Sequence, residues 1–393
     1  MTGLGATAAA PSVLVVLNHR PGGPRPTVSE TLDSLVTEGM LGGCDVYHFP
    51  ARCDAGLGDA AIGAEILAAA RKTGAALVLF AHSGTLAIDR ATLRALRALP
   101  SAPALVYLEG DGYHPWYYPA PTATVRVMRA CDVVFLPSGG PFLRVLRRAG
   151  CRDVRYAPST ASGIRFPHVW RAGDTHEWDV VLVGRRTTSR VPGRTFPGAH
   201  RRIALAHALQ RRYGRRFGLF GPGWTGPSAL GPLPFDEQAD AGRRSVVVVG
   251  QNNSTWPLGF SNRLPISLAT GTPTVYSRAA GFHSVFGTER DDWFFSSIEE
   301  ALCKIDALLE TGPAELDRRS AEGRAFFESD LERLVVLRHV VRAGLAARRG
   351  GGSAVHAQPP GAYPSAPGVA QPPQPPPGGP RASVPLWQLL PPA

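Results

Sequence analysis

The sequence predicts an α/β protein made of two tandem doubly wound domains, and three observations carry that expectation. Short runs of aliphatic and β-branched residues alternate with helical patterns from end to end, the pattern of successive βαβ units feeding parallel sheets. The runs are almost wholly apolar rather than alternating, as strands covered on both faces are. A stretch at residues 159–175, rich in Ser, Gly, Pro and His, interrupts the pattern once, after which it restarts. A chain of 393 residues with 44% hydrophobic content has the length and apolar content for two cores and a tail.

Taken in order, strands are expected at Val13–Leu17, Asp45–Phe49, Ala76–Phe80, Ala104–Leu108, Val133–Leu136 and Val154–Ala157. The intervening helical periodicity predicts helices at Val28–Glu38, Ala60–Lys72, Ile88–Ala98, Thr124–Ala130 and Pro141–Ala149. Beyond the break, strands are expected at Asp179–Val183, Phe217–Phe220, Ser245–Val249 and Thr274–Tyr276, with a weaker one at Trp293–Phe295. Helices are expected at His200–Arg212, Phe235–Ala241, Asn262–Ala269 and Ile298–Leu309, and one long terminal helix over Pro313–Ala347. The domains are therefore drawn at residues 1–165 and 166–349. From Gly350 the composition turns to Pro, Gly, Ala and Gln, including the run Gln371–Pro377. Such a tail cannot bury a core, so residues 350–393 are expected to be disordered and suited to a proline-recognising partner.

Composition narrows the function. No apolar run approaches the roughly 20 residues that span a bilayer, so no transmembrane helix is expected. Ala8-Ala9-Ala10 precedes the apolar run Val13–Leu17 and follows no basic residue, which argues against a secretory signal. The five cysteines are scattered without a CxxC pair, which favours reduced thiols in the cytoplasm and disfavours structural zinc. The net charge of +11 is nearly all arginine, since Lys72 and Lys304 are the only lysines. Compositional bias accounts for part of that charge. The rest favours anionic small ligands or peripheral contact with an anionic membrane, and nucleic acid is not expected.

In open α/β sheets ligands bind beyond the carboxyl ends of the strands. The residues expected there in the first domain are Asn18-His19-Arg20, His82-Ser83-Gly84, Glu109–His114 and Ser138-Gly139-Gly140. In the second they are Gly184-Arg185-Arg186, Gly221-Pro222-Gly223-Trp224 and Gly250-Gln251-Asn252-Asn253. The densest segment runs from Gly259 to Tyr276: a glycine loop, a short helix with Arg263 in its first turn, and a Gly-Thr-Pro turn into a strand. Loop amides at a helix N-terminus, with an arginine fork beside them, suit a phosphate. Gln251 and Asn252 are placed to hydrogen-bond a base or sugar hydroxyls. No Gly-x-Gly-x-x-Gly follows the first strand, and the chain has no Walker lysine loop and no Gly-x-Ser-x-Gly elbow.

Ser261-Asn262-Arg263 followed by Ala269-Thr270-Gly271 resembles the donor-binding segment of GT-B glycosyltransferases, most closely the spore-maturation CgeB-like branch. Val183-Gly184-Arg185 and Phe220-Gly221-Pro222-Gly223-Trp224 resemble the Val-Gly-Arg and Tyr-Gly-x-Gly-Trp segments of such enzymes. The likeness covers roughly residues 130–345. It implies two Rossmann-like domains in the GT-B architecture, with a terminal helix crossing back to brace the first. It also implies hexosyl transfer from a nucleotide sugar to an unidentified acceptor, independent of metal and with no cofactor beyond the donor. Donor contacts would come from Gly184, Arg185, Arg186, Gly221, Gly223, Gln251, Asn252, Ser261, Asn262 and Arg263. Asn18, His19 and Arg20 would meet the acceptor. Asp111, His82 and His114 are alternative bases, with Glu109 as a second carboxylate beside Asp111. The Glu109/Asp111 pair also looks like a metal-binding Asp-x-Asp, a device of a different glycosyltransferase fold. One feature departs from the pattern: Ile266 replaces the branch's glutamate, and the two carboxylates of retaining families correspond to Leu258 and Ile266. That departure keeps other readings open: a non-catalytic nucleotide-sugar or glycan-binding protein, a sugar-nucleotide epimerase or hydrolase, or a scaffold whose tail recruits a partner.

Overall fold

A computed structural model describes residues 10–21, 28–84, 86–188 and 195–349. The tail expected at 350–393 lies outside them. The first sheet contains β1 (Ser12–Leu17), β2 (Gly43–His48), β3 (Leu77–Ala81), β4 (Ala104–Leu108), β5 (Val133–Leu136) and β6 (Val154–Tyr156). The second contains β7 (Trp178–Val183), β8 (Phe217–Phe220), β9 (Ala229–Gly231), β10 (Ser245–Gly250), β11 (Thr274–Ser277) and β12 (Phe294–Phe295). All named pairings are parallel, in the orders β2-β1-β3-β4-β5-β6 and β12-β11-β10-β7-β8-β9. The order reverses between β1 and β3 and again between β7 and β10, which sets a crevice at the carboxyl end of each sheet. The chain is thus α/β with two doubly wound sheets. Among the expected strands β9 was absent, because its three residues form a partly exposed edge with no apolar run to betray it. No described helix is long and apolar enough to cross a membrane.

The apolar strands are explained by their two faces. Leu14, Val16, Val78, Phe80 and Tyr107 pack beneath helices that contribute Ile62, Ile66, Leu93, Leu96, Val127, Phe142 and Leu146. Their neighbours Val13, Val15, Leu77, Leu79 and Val106 face Leu32 and Leu35 on one side of the layer and Val336, Leu337, Val340 and Val341 on the other. The latter four belong to the last described helix, Arg333–Arg349, so the end of the second half of the chain covers the first sheet. Gly344 lets that helix lie close, since a Cβ there would come within 2.4 Å of Leu77.

The single helix expected over Pro313–Ala347 is instead two, Pro313–Phe326 and Arg333–Arg349. A π-helical turn at Phe327–Leu331 and an extended Glu332 (φ −63°, ψ 134°) separate them. The break has a packing cause. Phe326, Phe327 and Leu331 are buried in the second domain's aromatic cluster with Phe260, Phe282, Phe286 and Phe294, whereas Val336 onward packs on the first sheet. A straight helix cannot serve both. At the crossing the return link lies against the outgoing one: Ala161 bridges Glu332, and the Arg333 amide donates to the Ala161 carbonyl at 2.9 Å.

Candidate functional site

The carboxyl ends of both sheets open onto one cavity of about 600 Å³, with walls from both domains. Asn18, His19, His82, Glu109 and Asp111 line it from the first, and Arg202, Asn252, Ser261, Asn262 and Arg263 from the second.

On the first wall Glu109, at the end of β4, is 2% exposed. Its Oε1 accepts the amides of Gly110 and Asp111 at 2.8 and 3.0 Å and also bonds the Nδ1 of His82. The two amides fix the carboxylate, and the carboxylate fixes the imidazole. His82 sits just after β3 in a left-handed conformation (φ 48°), its amide donating to the Leu108 carbonyl at 2.8 Å. The Glu109 bond raises the proton affinity of His82 above the ordinary histidine value, overcoming the opposite effect of burial. The other ring nitrogen, Nε2, is 3.9 Å from Asp111 Oδ2, which accepts the Tyr118 hydroxyl at 2.7 Å. The ligating atoms of these three side chains lie within 4.8 Å of one another. Glu109 holds Nδ1 and thereby turns Nε2 toward Asp111 and the cavity, which orients the imidazole.

His114 does not join them. Its ring stacks between first and second domain, 3.8 Å from Tyr117 and 5.3 Å from Trp256 between centroids, outside the cavity lining. Burial lowers its proton affinity. Trp256 also lies against Gly112 and Gly140, where added Cβ atoms would come within 3.1 and 3.5 Å of the indole. The Gly139 amide donates to the Pro257 carbonyl at 2.9 Å, and the Tyr156 hydroxyl to the Leu258 carbonyl at 2.9 Å. These contacts hold the domains together beside the cavity. Arg20 is a second departure from expectation. It is exposed and paired with Asp54 at 2.6 Å, so its charge is already met away from the cavity.

On the second wall Arg263 opens the helix Arg263–Thr270, and its Nε is buried without a hydrogen-bond partner. Arg202, 4% exposed on the helix Pro197–Tyr213, comes to the same cavity. Its Nε donates to the Gln251 carbonyl at 2.8 Å and its Nη1 to the Arg185 carbonyl at 3.1 Å. Neither guanidinium has a carboxylate within ion-pair distance among the described residues. Burial pushes Arg202 down to about 10, and the charge of Arg263 adds to the effect. Burial lowers Arg263 as well. Arg202 spends its donors on main-chain carbonyls, its Nη2 also on that of Gln251, so it brings charge to the cavity, and the two buried cations together suit an anion.

Arg202 was not foreseen from the sequence. It sits within His200-Arg201-Arg202, where nothing separates it from its exposed neighbour Arg201. The cavity was expected to receive Arg185 and Arg186, but both are exposed and outside its lining. The reason lies in the glycine turns. Gly221 takes φ 131°, and a Cβ there would lie 2.3 Å from the Gly184 carbonyl oxygen. Gly223 likewise packs near Arg186, and the Trp224 indole donates to the Gly184 carbonyl. Gly221 thus packs on Gly184 and Gly223 on Arg186, while Gly184 leaves room for the Arg202 guanidinium.

Asn252 is consumed structurally: its Nδ2 donates to the Gly259 carbonyl at 2.8 Å, and its Oδ1 accepts the Tyr276 hydroxyl at 2.7 Å. Ser261 joins the network through Oγ, 2.9 Å from the same hydroxyl. Together they fasten the loop that delivers Arg263. Gln251 faces a smaller pocket of about 270 Å³ beyond β10, β11 and β12, lined also by Ser254, Ser277, Arg278 and Ser296. Leu258 and Ile266 are 1% and 3% exposed, inside the aromatic core.

Residues 199–332, about a third of the chain, match the family described as glycosyl transferase-like. Among solved structures, the HepE protein of Anabaena in complex with UDP and glucose is similar over 85% of this chain and 99% of its own, with 13% identity and a TM-score of 0.51. A glycosyltransferase from Rickettsia africae covers 86% of this chain and 98% of its own at 11% identity and a TM-score of 0.52. The α,α-trehalose 6-phosphate synthase of Burkholderia multivorans covers 87% and 97% at 12% identity, again with a TM-score of 0.52. At such identities the likeness is one of fold, and the fold is the GT-B arrangement. No curated protein matches the sequence.

Proposed function

We propose that the protein is a glycosyltransferase that moves a hexosyl group from a nucleoside-diphosphate sugar to a hydroxyl acceptor by a single displacement. The observation that carries this reading is that the Arg202–Arg263 cation pair and the Glu109–His82 pair line one cavity. The neutral Nε2 of His82 takes the acceptor's proton while the acceptor oxygen attacks the anomeric carbon. Glu109 keeps the proton of the ring on Nδ1 and stabilises the imidazolium that forms. The bond from the anomeric carbon to the diphosphate oxygen breaks, and the leaving nucleoside diphosphate carries its charge to the two guanidiniums. Those cations do the work a metal ion would otherwise do. Attack from the wall opposite the leaving group inverts the anomeric configuration. The smaller pocket at Gln251 suits the nucleobase.

That HepE is held with UDP and glucose in the same fold supports a uridine diphosphate sugar as the first donor to try. The Ser261–Gly271 motif supports the CgeB-like branch, and the unpaired thiols of all five cysteines support a cytoplasmic setting. The apolar Leu258 and Ile266 favour one rival, a protein that binds the donor without turning it over. Incubation with a panel of nucleotide sugars and hydroxyl acceptors, followed by proton NMR of the anomeric signal, tests the proposal. Inverted product with release of nucleoside diphosphate is expected. A thermal shift with no turnover would replace it with the binding protein, and free epimer without acceptor with an epimerase. Truncation after Arg349 leaves turnover unchanged if the tail only recruits a partner.

A further inference from the structure

Three of the helices that cover one face of the first sheet, next to Asp59–Thr73, are Arg90–Arg97, Thr122–Ala130 and Pro141–Arg148. Their apolar residues, among them Leu93, Val127 and Leu146, are buried against the sheet. Every charged residue within them is an arginine. Arg90, Arg94, Arg126, Arg129, Arg144 and Arg148 are exposed and make no ion pair among the described residues. The carboxylates nearest this face are already engaged. Asp132 pairs with Arg97 at 2.7 Å and ties the first helix to the end of the second. Asp89 caps the first helix by accepting the Thr92 amide at 2.6 Å, and its charge also lies near Arg126.

Arginine is used differently elsewhere. On the helix Pro313–Phe326 of the second domain, Arg318 and Arg319 both pair with Glu315, and Arg324 with Glu328. The arginine content of the chain therefore does not by itself produce an uncompensated face; the omission of acids from these three helices does.

An aromatic residue stands beside this field. Trp116 is 61% exposed in the loop between β4 and the helix Thr122–Ala130. The loop is anchored to the third helix by Tyr113, whose ring meets Phe142 edge-on at 4.9 Å. Arg144 is near enough to lower the proton affinity of His114, two residues before Trp116. A broad helical face of arginines with an exposed indole at its rim matches the chemistry of a lipid headgroup layer, where cations meet phosphates and tryptophan sits at the interface. A single-stranded nucleic acid would call instead for a groove with stacked rings along it.

We propose that this face docks the protein on an anionic lipid surface, with the arginines over the headgroups and Trp116 inserted among them. Full-length protein is sedimented with vesicles of phosphatidylcholine alone and of phosphatidylcholine mixed with phosphatidylglycerol. Binding to the mixed vesicles only, lost as salt rises, is expected. Each arginine near such a surface is worth about a fivefold change in partition, so the combined variant Arg94→Gln, Arg126→Gln, Arg129→Gln, Arg148→Gln lowers partition several hundredfold. The same four positions changed to Lys keep binding, which separates lost charge from a lost fold. Arg211→Gln with Arg215→Gln, exposed on the second domain, leaves binding unchanged. Trp116→Ala lowers it several-fold at low salt without changing how steeply it falls as salt rises. The proposal is overturned by equal binding to neutral vesicles, by unaltered partition in the fourfold Gln variant, or by a single-stranded RNA oligonucleotide that displaces the protein from the vesicles.

Discussion

Arg202 and Arg263 are held in a state that favours ligand over fold, and replacing one of them exposes the trade. Burial and the neighbouring charge lower Arg202 from the ordinary arginine value to about 10. At about 1.4 kcal/mol per pH unit, that lowering corresponds to roughly 3 kcal/mol set against the charged form in the folded protein. A basic group whose folded value lies below its unfolded value weakens the fold throughout the range where it is charged, and relief comes only as pH rises through about 10. At neutral pH the cost is present in full.

Arg263→Met keeps the unbranched stem of the side chain and removes one of the two charges, along with its repulsion of Arg202. Exchanging a buried, unpaired charge for a hydrophobic group of similar size stabilises by about 1–3 kcal/mol. With an unfolding entropy of about 2.1 cal/mol/K per residue, the ligand-free variant melts roughly 2–4 °C above the wild type. The wild type gains a further 2.7 kcal/mol or so when UDP is added at about a hundred times its dissociation constant, and the variant loses most of that gain. Differential scanning fluorimetry of both proteins, with and without UDP, reads all four states. A ligand-free variant that melts below the wild type, or one that UDP stabilises equally well, would refute the idea that these guanidiniums form a waiting phosphate site.

Three other outcomes follow from the geometry. The base must be neutral to accept a proton, and the Glu109 bond raises His82, so kcat/KM falls as pH drops through a value above the ordinary histidine value of about 6.5. Glu109→Gln moves this acid limb to lower pH and reduces kcat, while His82→Asn removes the limb and costs about 10²–10⁴-fold in rate. Ile266→Glu, which restores the carboxylate of the resembled branch, yields a protein that melts far lower or fails to fold, because position 266 is buried among phenylalanines; the burial of an unpaired carboxylate there costs several kcal/mol. Trp256→Ala removes its stacking on His114 and Tyr117, worth about 0.5–1.5 kcal/mol per aromatic pair, and small-angle scattering shows a larger radius of gyration with a raised donor KM.

The fold was readable because the strands alternate between two buried faces, which leaves nearly continuous apolar runs that end in glycine or polar residues. Those endings also put Asn18, His82, Glu109, Asp111, Asn252, Ser261 and Arg263 on one cavity wall or the other. What escaped the sequence was set by long-range packing. Arg202 enters the cavity from inside a helix rather than from a strand end, and the space it fills exists because Gly184 has no Cβ. The contact of Gly221 with Gly184 turns Arg185 and Arg186 outward. The roles of Asn252 and Ser261 were hidden by Tyr276, a strand residue whose hydroxyl draws both of them into a loop fastening. His114 looked like a base by position, yet its ring is occupied by Tyr117 and Trp256. The terminal helix broke where its apolar side had to change allegiance from one core to the other, a demand invisible to periodicity.

That break has a mechanical consequence. The chain passes between the two halves twice, and the passages at Ala161 and at Glu332–Arg333 are stitched to each other by main-chain bonds. Two tethers joined along their length act as a single pivot rather than as independent strings. Rocking of one half against the other then reduces to rotation about that line. Opening about that line would have to break the other cross-domain contacts, the Tyr117–Trp256 stack and the Tyr156–Leu258 hydrogen bond.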